Sequence, residues 1–283
     1  MKIKSITSKK INNFYSRNTY VSKNPSMHEE DSTWKIYKII PFIDECMKKL
    51  KKKRITILDV GGGSGLILRE ISFYIHNKYN KKITKIAIDL TPSMLKKQKI
   101  NNPDLKICLN EDICHTSLKR KVDITLMIDT LEHLSNPESG LKELKRISNY
   151  VIFKVPLEDN LSVNLLNFIK GGKLRQNIIN NLGHINIYNY KNLSKQLKKY
   201  SKIMGYSFTN VFEYFQKSKY YENSYKIKNK FMSQSYTLSI ILFKIYCFLG
   251  NLFFKISPKL SSFLFNDFLV ILVKMNNLRR ENQ

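Results

Sequence analysis

Acidic side chains are scarce in this chain: 22 Asp and Glu stand against 49 Lys and Arg in 283 residues, a formal charge of +27. The imbalance argues against cationic partners and suits nucleic acid, anionic lipid or an acidic substrate. Lys, Asn, Ile and Tyr are abundant together, so AT-rich coding accounts for the same excess. Cysteine is scarcer still. Cys46, Cys108, Cys114 and Cys247 form no CxxC pair and no His/Cys cluster, which excludes a disulfide framework and a cysteine zinc site and points to a reducing compartment. The N-terminal stretch "MKIKSITSKKINNFYSRN" is basic but has no apolar core, so no secretory signal is expected. No internal repeat is present.

What is abundant is alternation. "RITILDV" (54–60) reads as a buried strand and "LILREISFYI" (66–75) as the helix after it. "KITKIAID" (82–89) is a second strand, followed by a helix with Thr91 as N-cap and Pro92 in its first turn. Strands are expected at 104–110, 122–129 and 149–155, with a helix at 138–148. A helix at 189–204 and strands at 206–215 and 266–276 complete the pattern. Ahead of it, "STWKIYKIIPFIDECMKKL" is helical and interrupted by Pro41. Strands alternating with helices predict an α/β, doubly wound, mostly parallel sheet.

Two phosphate-binding patterns are missing. The first strand runs into "ILDVGGGSG" (57–65), yet the sixth position from Gly61 is Leu66 and from Gly63 is Leu68. That rules out the G-x-G-x-x-G of dinucleotide folds, and no G-x-x-x-x-G-K-[ST] occurs either. The turn is instead acidic-x-Gly-x-Gly-x-Gly: Asp59, Gly61, Gly63 and Gly65.

This turn resembles the first motif of the class I S-adenosylmethionine (SAM) methyltransferases. Asp89 ends the second strand, "EDI" (111–113) follows the third, and "IDTLEHLSNPE" (128–138) follows the fourth. That last stretch is similar to the branch containing ubiquinone-biosynthesis and small-molecule methyltransferases. Each motif lies at a strand's C-terminal end, where open α/β sheets bind ligands. The resemblance implies seven strands with an antiparallel last one. It implies SAM as cofactor, held by Asp59, Gly61, Gly63, Gly65, Asp89, Leu90, Asp112, Ile113 and Asp129. Within that set, Asp89 would clamp the ribose hydroxyls and Asp112 the adenine amino group.

Methyl transfer needs in-line alignment, and some acceptors need a base. The candidate catalytic residues are His133 and His184, the latter in "LGHINIY". Each could instead be structural, His133 orienting its loop and His184 fastening a lid. His28 could belong to an N-terminal lid or to a helix cap. His28, Glu29, Glu30 and Asp31 are contiguous rather than spaced along one helical face, so no metal is expected.

The expected organisation is an N-terminal helical lid (1–53), a SAM-binding core (54–215), a helical insertion (216–264), and a final strand with its tail (265–283). "SYTLSIILFKIYCFLGNLFFKI" (235–256) is nearly long enough to span a bilayer, but Lys244 in its middle argues against spanning. Lys244, Asn251 and Lys255 share one helical face, and Leu238, Leu242, Ile245, Leu249 and Leu252 mark the other. With "QKSKYYENSYKIKNKF" upstream, the insertion suits a membrane interface, a single-stranded nucleic-acid platform, or a cap over the active site. The expected activity is methylation of a small molecule, at an oxygen of a hydrophobic or lipid-linked acceptor. The expected place is the cytoplasm, with peripheral contact to an anionic membrane on its inner face. An RNA methyltransferase and a non-catalytic SAM-binding subunit are the alternatives, although no RNA-binding module is recognisable.

Overall fold

The structure, a computed structural model, describes residues 29–218 and 233–276, with residues 233–239 described as backbone alone. His28 and most of "QKSKYYENSYKIKNKF" lie outside the described residues, as does the side chain of Leu238. Seven strands form one sheet in the order β3-β2-β1-β4-β5-β7-β6. They are β1 (Arg54–Val60), β2 (Lys82–Ile88), β3 (Leu105–Leu109), β4 (Val122–Ile128), β5 (Ser148–Leu157), β6 (Ser201–Phe208) and β7 (Asp267–Met275). The first five pair in parallel, and β7 runs antiparallel to both neighbours. The expected α/β fold class is therefore the observed one.

The strand pattern explains the layering, because alternate residues of a strand face opposite sides. Ile55, Ile57, Ile124, Leu126, Ile152 and Leu272 pack on α1 (Ser32–Lys49) and α2 (Leu66–Tyr79) through Ile39, Ile43, Leu68 and Ile71. Leu58, Ile86, Met127, Phe153 and Ile271 face the other way. They meet Leu141 and Leu144 of α4 (Pro137–Ile147) and Leu193 and Leu197 of α7 (Tyr190–Lys198). Burial on both faces is why these strands read as near-continuous apolar runs. Between β2 and β3, α3 (Pro92–Asn101) has Thr91 at its N-cap and Pro92 in the first turn, as expected.

Three expectations need correction. Helix α1 runs unbroken through Pro41. Pro41 and Tyr37 are both exposed, so water can satisfy the carbonyl that a proline nitrogen leaves without a donor. The helix expected at 189–204 stops at Lys198, and the following strand begins at Ser201. Residues expected to extend that strand to 215 instead form α8 (Val211–Lys217). The cause is Asp267. Its carboxylate accepts hydrogen bonds from Thr209 Oγ1 and from the backbone amides of Asn210 and Val211, at 2.7, 3.3 and 3.2 Å. Asn210 turns the chain at φ +52°. Val211, Phe212 and Phe215 then fall at helical spacing against Cys247.

Helices α5 (Leu161–Ile169) and α6 (Lys173–Leu182) follow β5. The long segment before β7 is α9 (Ser233–Ile256) followed by α10 (Pro258–Leu264). Gly250 is required where α9 meets α8, since a Cβ there would lie 2.6 Å from the Phe212 ring. Asp267 pairs with Leu157 and Phe208 with Leu269, so α5, α8, α9 and α10 all gather at the edge where the parallel strands end.

Candidate active site

The turn after β1 is shaped by what lies against each glycine. Gly61, Gly63 and Gly65 have φ of +64°, +56° and +77°, a region L side chains rarely adopt. A Cβ on Gly61 would also press within 2.7 Å of the Thr130 side chain. Gly62 was not singled out by the sequence motif, yet it is the tightest position. A Cβ there would sit 1.9 Å from Asp59 Oδ2. Gly65 does not line the pocket; it caps α2 and lies against Gln98 and Asn102 of the α3 end.

The pocket at this turn is lined by Asp59, Gly61, Gly63, Asp89, Leu90, Asp112, Ile113, Asp129 and His133. The structure thus brings together the expected cofactor residues, except Gly65, and one of the two histidines. Met94 from α3 and Ser32 and Lys35 from α1 line it as well. Those three had no motif to announce them.

Electrostatics separate the acids. Asp59 is buried with Oδ2 unpartnered, and burial, with Asp89 nearby, pushes its carboxyl up to about 7. Asp89 is 8% exposed and accepts a 2.8 Å hydrogen bond from the Thr91 amide, yet burial still raises it to about 7. Asp112 accepts from the Cys114 amide at 2.8 Å, which fixes the one-turn helix Ile113–His115. Asp129 is different. Burial would raise its pKa, but Lys154 Nζ at 2.6 and 2.8 Å and Lys35 Nζ at 2.9 Å hold it well below the usual carboxylate range. Lys35 also pairs with Asp31, the residue just before its own helix, at 2.9 Å, and its bond to Asp129 ties α1 to the end of β4 beside the pocket.

Beyond His133 lies a second polar group. His133 Nδ1 is 3.1 Å from the Gly183 carbonyl, and its ring meets that of His184 at 4.9 Å between centroids. His184 does not line the pocket; its Nδ1 lies 2.8 Å from Glu158 Oε1.

A mostly parallel sheet with this glycine cradle and four aspartates at or just past strand ends defines a nucleoside-binding fold of the class I methyltransferase type. A methyltransferase-domain family matches residues 31–200, and the chain belongs to that family as a SAM-dependent methyltransferase. No curated protein matches it by sequence. Among solved structures it is similar to a putative sarcosine dimethylglycine methyltransferase from Galdieria sulphuraria, at 10% identity and TM-score 0.51, covering 83% of this chain and 85% of that one. Geranyl diphosphate C-methyltransferase from Streptomyces coelicolor A3(2) gives 8% identity and TM-score 0.50, covering 83% and 76%. The cyclase SpnF gives 9% and 0.50, covering 84% and 82%. At such identities the likeness is one of fold, and a cyclase among the relatives shows that fold alone does not set the reaction.

The residues present fit the cofactor. Two buried carboxyls near neutrality, one with an unpartnered oxygen, face a cradle that added side chains would fill. Asp89→Asn tests this fit. A carboxyl whose folded pKa exceeds its unfolded one binds more protons when folded. Its burial therefore costs stability increasingly as pH rises from the ordinary carboxylate range to about 7. Without cofactor, Asp89→Asn should melt above the wild type at pH 8, and the gap should shrink below pH 7 and close only at about pH 4, the ordinary aspartate range. It should bind SAM roughly ten- to a hundredfold more weakly at pH 8. Unchanged affinity by calorimetry would remove Asp89 from the cofactor site.

Proposed function

We propose that the enzyme methylates an oxygen of a hydrophobic or lipid-linked acceptor, which it meets at an anionic membrane on the cytoplasmic side. The observation that carries this reading is an apolar surface at the edge of the sheet where the pocket opens. On α5, Leu161, Leu165, Phe168 and Ile169 are 52–83% exposed. On α9, Leu242, Ile245, Phe248, Leu249, Leu252 and Ile256 are 38–68% exposed, and on α10 Phe263 is 62% exposed. The α9 stripe expected from the sequence thus faces outward, whereas Asn251, expected on the basic face, turns inward to hydrogen-bond Asn210 at 3.0 Å. Helices α5 and α9 are joined by Ser162 Oγ and Tyr246 Oη at 3.4 Å. Large apolar side chains exposed together on three helices that touch one another favour an interaction surface over ordinary solvent exposure. Exposed Lys170, Lys255 and Lys259 stand at the ends of the same helices, and each lysine near an anionic surface adds ~1 kcal/mol. No described helix is long and apolar enough to cross a membrane.

When bound, SAM supplies a methyl group on a sulfonium sulfur, and the C–S electron pair stays with sulfur as an acceptor atom takes the carbon. The chain's own work is placement. Asp89 and Asp112 hold the nucleoside, the 61–63 turn admits it closely, and Lys35 on α1 closes over the site. Glu132, His133 and His184 stand on the acceptor side. Excluding water and aligning the acceptor can supply up to ~7–11 kcal/mol of the barrier.

Methyl-labelled SAM, incubated with the protein and a cell extract, should deliver label to the organic phase. The wild type should also sediment with anionic vesicles, and less so at high salt. Leu242→Asp combined with Leu249→Asp should lose vesicle binding and lipid labelling but keep SAM affinity. Label in RNA, or a wild type that ignores vesicles, would overturn the reading.

A further inference from the structure

We propose that Glu132, His133 and His184 form a binding site for a divalent transition cation, of which zinc is the type, beside the methyl-acceptor position. Their ligand atoms all lie within 4.8 Å of one another. Bonds of about 2.0–2.1 Å to a tetrahedral cation put neighbouring ligand atoms about 3.4 Å apart. The three side chains need to draw in by about an ångström, within reach of small χ rotations.

The second observation is independent of that spacing. Glu132 is fully buried, and neither carboxylate oxygen has a hydrogen-bond partner among the described residues. A buried carboxyl in that state is expensive unless something positive completes it. Its Oε1 already lies 3.9 Å from His133 Nε2. Nothing in the fold itself requires the arrangement, since it is the Glu132 carbonyl that bonds the Ile185 and Asn186 amides.

The histidine partners fix the tautomers. The Gly183 carbonyl near His133 Nδ1 and the Glu158 carboxylate near His184 Nδ1 can only accept. A neutral ring in either place therefore carries its proton on Nδ1, which makes Nε2 the atom that would ligate. An oxygen acceptor behind each imidazole is the outer-shell arrangement that orients histidine ligands and raises their basicity. Two imidazoles and one carboxylate, with the remaining coordination open, make the ligand set of reactive rather than purely structural sites. No sequence spacing foretells it, because Glu132 and His133 follow β4 while His184 follows α6.

The chemical use of such a cation rests on the methyl-transfer reading; its binding does not. His133 lines the cofactor pocket, so an open coordination position would fall on the acceptor side. A hydroxyl bound there ionises more readily: the O–H pair stays on the metal-held oxygen and the proton passes to water. The oxygen is then ready for the carbon. The histidines act as ligands in this scheme, and no protein base is needed.

The test uses the full-length protein, stripped with a chelator, dialysed, and titrated with Zn²⁺ by calorimetry and with Co²⁺ by visible absorption. The expected result is one cation per chain, with the intense bands of low-coordinate cobalt. Glu132→Gln and His184→Ala should each weaken Zn²⁺ binding by at least about a hundredfold. Glu158→Gln, acting only through His184, should weaken it by about ten- to a hundredfold. All three should keep wild-type SAM affinity. His184 is partly exposed, so His184→Ala serves if Glu132→Gln fails to fold. A wild type that takes up no Zn²⁺, or variants that bind it as tightly as the wild type, overturn the site. Turnover undiminished after chelation overturns the acceptor role and leaves the site. Zn²⁺ uptake in a protein that transfers no methyl group leaves the site and removes the function.

Discussion

Replacing Asp129 with asparagine should cost about 3–5 kcal/mol of stability, the range for breaking a buried ion pair from one side. The substitution keeps the size of the side chain and tolerates the positive φ of 50° at this position, so it removes little besides the charge. That charge serves two ammonium groups. Lys154 has a fully buried side chain, and that of Lys35 is 9% exposed; both reach the one carboxylate. Lys154 lies with Nζ 3.5 Å from the centre of the Phe268 ring and 5.4 Å from that of Trp34. Those rings soften its burial without neutralising it, and its pKa is already lowered, by burial first of all. Asp129 is the opposite case. Its carboxyl is held below the unfolded value, so its contribution is present above the ordinary carboxylate range and lost as pH falls well below it. Urea unfolding at pH 7 should therefore show a large loss in the variant, and the gap to wild type should narrow only in strong acid. A loss below ~1 kcal/mol, the range of exposed pairs, would show that both lysines reach water. The same network explains the seat of α1. The variant should loosen Lys35 from the pocket and expose it to proteolysis near Ser32.

The sheet and most of the pocket were legible in the sequence because their causes are local or periodic. Buried parallel strands write themselves as β-branched runs, and the acids that line the pocket sit at or just past the ends of those runs, where chain order alone places them. Other features have causes that lie far off in the chain. Whether 211–217 is strand or helix depends on the carboxylate of Asp267, 56 residues after Val211. The apolar α5, which meets α9 through Ser162 and Tyr246, shows no motif, only a short greasy run between Asn160 and Lys170. The outward orientation of Leu242 and Leu249 is set by Gly250 and Cys247 packing on Phe212. His184 was visible as a residue, but its meeting with Glu158 and His133 was not, since three separate loops converge there. Asp129 was visible as an acid at a strand end, whereas Lys35, from α1, and Lys154, from β5, reveal themselves only by contact.

Gly62→Ala tests the tightest contact in the cradle. Gly62 is not among the positive-φ glycines, so an L side chain meets no backbone objection there. What it meets is Asp59, with carboxylate atoms at 1.9, 2.3 and 2.6 Å from the new Cβ. Asp59 is 1% exposed and can swing only into the pocket it lines, so either its carboxylate or the turn must enter the space a cofactor needs. Overpacking of this kind costs about 1–3 kcal/mol. A turn displaced by an ångström or more should lower SAM affinity by at least about a hundredfold, or ~2.7 kcal/mol. The decisive comparison is the pair. Asp59→Ala removes the obstacle, so Gly62→Ala in that background should cost far less stability than in the wild type, a coupling of about 0.5–3 kcal/mol. Stability is the readout to use in the double variant, because Asp59 also lines the pocket and its loss should weaken SAM binding on its own account. If Gly62→Ala alone melts and binds SAM like the wild type, the Asp59 carboxylate moves freely and the cradle is not built around it. If the two substitutions simply add, the glycine is needed for another reason, and the contact between Asp59 and Gly62 carries no energy.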